Sequence, residues 1–127
     1  MSMVMANTDI ALKEAMTIDG AMGAALVDLA SGMSLGVIGG TPELDPAVAA
    51  AGHTDLVRAK KRTMEMLGVG GTIEDILITL TRQYHLIRPL TAANGAGLFL
   101  VLILDRKRAN LAMARRRLQL IEGELDL

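Results

Sequence analysis

Leu98-Phe99-Leu100-Val101-Leu102-Ile103-Leu104 is apolar at every position. A strand with one wet face alternates apolar and polar residues, whereas a strand covered on both sides does not. This stretch therefore predicts the central strand of a sheet with helices on both faces. The apolar run containing it, Ala96–Leu104, is too short for a membrane-spanning helix, which needs ~20 residues.

Working outward, two strands precede it, Tyr84–Leu90 and Thr72–Leu80, joined by a tight turn near Arg82-Gln83. Ala93-Asn94-Gly95 is a further turn before the central strand. Thr72–Leu80 carries Glu74, Asp75 and Thr79, which suits a sheet edge. Glu74 and Asp75, adjacent in that strand, point to opposite faces and form no catalytic pair. Upstream, Ala24–Leu29 reads as a strand, Ala30-Ser31-Gly32 as a turn, and Met33–Ile38 as a second strand, with Gly36 placing it near an edge.

Three helices complete the chain. Asn7 caps one over Thr8–Thr17. Asp45 and Pro46 open a second that runs to Leu67 and stops at Gly68. Its apolar stripe is Ala49, His53, Leu56, Val57, Lys60, Met64 and Leu67, with Asp55, Arg58, Lys61, Arg62 and Glu65 opposite. Asp105 starts the last helix, whose core stripe is Leu111, Ala114, Leu118, Ile121 and Leu125, with Arg115, Arg116 and Glu122 outward. The order is α-β-β-α-β-β-β-α. Short connections between consecutive strands make the sheet antiparallel and the fold class α+β. We expect one domain over residues 1–127, with its core at about 8–125.

Composition narrows the function. The chain has 127 residues, of which 51% are hydrophobic but only 2% aromatic. That excludes disorder and leaves few rings for stacking bases. With no Cys, disulfides, thiol catalysis and Cys-based zinc sites are excluded. His53 and His85 lie far apart in sequence and read as structural. Gly68-Val69-Gly70-Gly71 lacks the Lys-Ser/Thr of a phosphate loop and leaves a helix instead of entering one, so it reads as a helix stop. The serines, Ser2, Ser31 and Ser34, fit no nucleophile motif. No catalytic residue, metal ligand or cofactor is expected. The first twenty residues do not read as a signal peptide, which favours the cytoplasm.

Charge is divided along the chain: residues 1–57 hold seven acids and one base, residues 58–127 seven acids and twelve bases. The basic clusters read as a solvated helix face or a docking surface for an acidic protein. Nucleic acid and membrane insertion are not expected. The apolar edge strand with Ile73, Ile76, Leu77 and Ile78 needs a cover, and a second copy of the chain supplies one by two-fold symmetry. Leu56 and Met64 of the middle helix extend that dimer interface.

Three stretches resemble the roadblock (dynein light-chain roadblock) family: Gly20-Ala21-Met22-Gly23-Ala24-Ala25-Leu26-Val27-Asp28 through Ser31-Gly32; Tyr84-His85-Leu86-Ile87-Arg88-Pro89-Leu90; and Phe99–Arg106 with Ala109-Asn110-Leu111-Ala112. The resemblance implies a five-stranded antiparallel sheet of profilin-like layering. The middle helix covers one face, and the first and last helices the other. It also implies a homodimer through the third strand and middle helix, and a non-catalytic role regulating a Ras-like small GTPase, in some members as a GTPase-activating protein. Arg58, Lys61, Arg62 and Glu65 are the candidate partner-binding residues. Arg58, Arg62 and Arg116 are candidate arginine fingers, none of them singled out. The Ala- and Gly-rich composition suits the actinobacterial relatives, which are typically encoded beside a sensor-kinase-like protein and a small GTPase. The alternatives are a GTPase-independent scaffold in a sensor-kinase complex and a small-ligand sensor.

Overall fold

The computed structural model describes residues 7–42, 44–91 and 97–125. Its elements are α1 (Thr8–Met16), β1 (Ala21–Asp28), β2 (Ser34–Gly39), α2 (Pro46–Leu67), β3 (Ile76–Thr79), β4 (Gln83–Pro89), β5 (Leu98–Asp105) and α3 (Leu111–Glu124). The expected turn at Ala93-Asn94-Gly95 lies outside the described residues. The five strands form one sheet in the order β2-β1-β5-β4-β3, with every pairing antiparallel. β5 is central, as its unbroken apolar run requires, and its residues from Phe99 to Leu104 are all buried.

Alternation along each strand divides the core into two layers. Ala24, Leu26, Leu86, Leu100, Leu102 and Leu104 face α1 and α3, packing on Leu12, Ala15, Leu118 and Ile121. Ala25, Val27, Ile87, Phe99, Val101 and Ile103 face α2, packing on Ala50 and Val57. Small residues let the layers approach. A Cβ on Gly36 would lie 2.7 Å from Thr8 Cγ2 and 2.8 Å from Leu12 Cδ1, so α1 rests directly on the β2 backbone.

The helix ends follow their capping chemistry. Asn7 Oδ1 accepts from Ile10 N–H at 3.0 Å, and Asp45 Oδ1 from Ala47 N–H at 2.9 Å. Gly68 closes α2 at φ +69°, in the left-handed region that glycine enters without strain. Asp105 does not start the last helix. It ends β5, and its carbonyl and carboxylate hold the following turn by accepting from Arg108, Ala109 and Lys107 N–H. Asn110 is the true cap, accepting from Met113 N–H at 3.1 Å.

Three other expectations are corrected. The third strand is shorter than Thr72–Leu80 and begins only at Ile76. Asp75 is drawn off the ladder by a two-pronged pair with Arg115 of α3, at 2.9 and 3.2 Å, so Glu74-Asp75 is not a strand dipeptide. The buried row of α2 is Pro46, Ala50, Thr54 and Val57, displaced around the helix from the expected stripe. Thr54 is tolerated there because its hydroxyl donates to Ala50 O at 2.9 Å. Glu122 does not face outward. It is buried beneath α3, where Oε1 accepts from Arg88 Nε at 2.8 Å and Oε2 from Thr91 N–H at 2.8 Å.

Candidate interaction surface

Exposed apolar residues lie on α1, β2 and α3, and also on the last turns of α2. Beyond Val57, α2 has no buried residue. Leu56 is 38% exposed, Leu67 68% and Met66 86%, so the last turns of the helix overhang the sheet with their apolar side chains uncovered. β3 is an edge strand that pairs only with β4, in the register Ile76↔Ile87 to Thr79↔Tyr84. Ile76 and Ile78 point to the α2 face and are half-buried against its core layer. Leu77 points to the opposite face and packs with the α1/α3 layer. Ile73, expected in the strand, sits in the loop before it. There it lines a cleft of about 290 Å³ with Met64, Lys61, Glu65, Val69 and Leu90.

The charged candidates divide into two kinds. Arg58 is anchored: Nε and Nη2 donate to Leu29 O at 3.0 and 2.8 Å, and Nη2 also to Ala30 O at 2.6 Å. It fixes α2 to the turn after β1. Lys61, Arg62 and Glu65 are exposed on the overhanging turns, with Lys61 and Glu65 beside Met64 at the cleft. Arg116 is exposed on α3.

The histidines, separated in sequence, meet in space. His53 of α2 and His85 of β4 stack edge to face with ring centroids 5.4 Å apart. His85 Nε2 lies 2.9 Å from Gln83 Oε1, while His53 Nε2 is buried without a hydrogen-bond partner. Burial lowers both pKa values, and for His53 the nearby His85 charge lowers it further. The sequence pattern held a signal for this meeting, since His53 falls on the apolar stripe of α2, but not for the partner. Among the described residues no three His, Asp or Glu side chains are grouped as a metal ion requires.

A five-stranded antiparallel sheet with one long helix on one face, two helices on the other and a bare third-strand edge is the roadblock fold. The Roadblock/LC7 domain from Streptomyces avermitilis matches it at a TM-score of 0.77 and 15% identity, covering 93% of each chain. Myxococcus xanthus MglB matches at 0.71 and 20% identity, over 90% of this chain and 77% of that one. The gliding protein MglB from Thermus thermophilus matches at 0.66 and 21%, over 90% and 87%. No protein-family model and no curated protein sequence matches the chain. The likeness is one of fold.

Proposed function

We propose that the chain is a non-catalytic, homodimeric signalling adaptor of the roadblock family that binds a Ras-like small GTPase in the cytoplasm. Its core, residues 8–125, acts as one domain. The carrying observations are the unpaired β3 edge and the uncovered last turns of α2. Pairing β3 with its copy completes the edge hydrogen bonds and buries Leu56, Met64 and Leu67 in one step. Lys61, Arg62 and Glu65 of the two α2 helices then flank the dyad and present a charged surface to the GTPase. Arg58, engaged with backbone carbonyls, acts as a structural clamp. That removes Arg58 from the candidate arginine fingers and leaves the exposed Arg62 and Arg116; the mechanism proposed for any acceleration of GTP hydrolysis is repositioning of the GTPase's own switch residues.

The test has two parts. Light scattering at micromolar concentration should give about twice the 13.5 kDa chain mass. Small GTPases of the source organism, loaded with GDP or a GTP analogue, should be retained by the immobilised dimer in one nucleotide state. A dimer that retains none of them supports the second reading, a scaffold that joins a sensor-kinase-like protein to its complex through the same surface.

A further inference from the structure

A second surface, at the far end of the β3–β4 hairpin, is built from cations. Arg82 comes from the β3–β4 turn, and Arg106 and Lys107 from the loop after β5. The two loops are tied together: Arg106 N–H donates to Arg82 O at 3.1 Å. The Arg106 side chain is set in place as well. Its Nη1 donates to Leu80 O at 2.9 Å, and its guanidinium lies 5.2 Å from the centre of the Tyr84 ring. With Met22, Thr81, Gln83 and Asp105 these residues line a cleft of about 440 Å³.

The cleft gathers three cations and one acid. Arg58, Arg88 and Arg115 each lie within 4.0 Å of a carboxylate. Among the described residues, Arg82, Arg106 and Lys107 form no such pair. The one acid present, Asp105, accepts from the Lys107 backbone N–H through Oδ1 at 3.0 Å. The cleft thus carries a net positive charge that the fold does not neutralise, and like charges held close repel. Two guanidinium forks and an ammonium match the oxygens of a phosphate group, and Thr81 and Gln83 add neutral donors. The volume suits a phosphate ester or diphosphate rather than a lone ion. The Tyr84 ring is covered by Arg106, so there is no platform for a nucleobase.

The geometry points to this cleft as a binding site for the phosphate group of a phosphate-bearing ligand, whether a soluble phosphate ester or a lipid headgroup. Neither source requires the GTPase or the dimer. The test compares the wild-type chain with the double variant Arg82→Gln, Lys107→Gln and with a control, Arg116→Gln, from an exposed basic position outside the cleft. Titration with inorganic pyrophosphate at low salt, followed by calorimetry, should show binding to wild type and control, weakened at least tenfold in the double variant. Thermal melts of all three check that the fold is retained.

Co-sedimentation with phosphatidylcholine vesicles with and without phosphatidic acid separates the sources. Pelleting only with phosphatidic acid, lost in the double variant, assigns the lipid. Pyrophosphate binding without pelleting assigns the soluble ester. Absence of both, or equal weakening by the control, overturns the site. A double variant that changes the oligomeric state while wild type binds no pyrophosphate also overturns it, and assigns these cations to an interface between copies.

Discussion

Removing the carboxylate of Glu122 is the most informative perturbation of this fold. Its side chain is 8% exposed and that of Arg88 16%, with Nε and Oε1 2.8 Å apart. The second oxygen holds Thr91 N–H at 2.8 Å. One carboxylate therefore joins α3 to the end of β4 and to the chain that leaves it. Glu122→Ala leaves a nearly buried guanidinium without its counter-charge and an amide without its acceptor. Breaking a buried pair from one side costs about 3–5 kcal/mol. The partial exposure of Arg88 lets water recover some of that, so the lower end, about 3 kcal/mol, applies.

An unfolding entropy of about 2.1 cal/mol/K per residue gives about 270 cal/mol/K for this chain, so Tm should fall by about 11 °C. Urea unfolding of wild type, Glu122→Ala, Arg88→Ala and the double variant measures the coupling directly. All four are compared at one protein concentration, because association adds to apparent stability. The double variant should be destabilised by at least 1 kcal/mol less than the sum of the singles. A Glu122→Ala loss below about 0.5 kcal/mol, or strictly additive singles, would refute the reasoning.

Three further outcomes are expected. Ile78→Lys places a charge on the α2 face beside the bare edge and should give monomer or aggregate by size exclusion, as should Ile76→Lys; two soluble dimers would remove the β3 edge from the interface. Gly36→Ala inserts a methyl into the contact with Thr8 and Leu12 and should cost about 1–3 kcal/mol in urea unfolding, whereas an unchanged midpoint would mean that α1 yields freely. His53 and His85 titrate below their ordinary 6.5 when folded. The unfolded chain therefore takes up protons that the folded one refuses, so stability is steady above about pH 7 and declines as pH falls through 6.5. The double variant His53→Gln, His85→Gln should lose that slope between pH 7.5 and 5.5, and an unaltered slope would place the titration elsewhere.

The strands were legible because their chemistry is local. An all-apolar heptapeptide has no other place than the middle of a covered sheet, and Gly36 pointed to an edge; Glu74-Asp75, read as part of the edge strand, lies before it. The caps Asn7, Asp45 and Gly68 were legible for the same reason. Asp105 misled because an acid before a polar stretch can hold a turn as well as a helix, and Asn110 was the better-placed acceptor. Glu122 misled because helical periodicity assigns a face to each residue but not a partner across the fold. Only the meeting of α3 with Arg88 makes its burial tolerable. The α2 stripe failed beyond Val57 for a different reason: its apolar residues are there, but the sheet beneath them ends. The proximity of His53 to His85 and of Arg82 to Arg106 depends on strand register, which no single segment encodes.

The overhang of α2 has a consequence for how this chain reports on itself. At about 1.5 Å per residue, the helix is about 33 Å long, and only the part up to Val57, about 18 Å, is seated on the core. Of the remaining ten residues Arg58 is held by the Leu29 and Ala30 carbonyls and Met64 is half-buried, and the turns beyond Arg58 rest largely on their own helix propensity, which sustains so short a segment only marginally in water. Their amides should exchange hydrogen early in a free chain and late in an assembled one. Met64, Met66 and Leu67 are thus a gauge: the order of one helix end reads out whether a partner is in place.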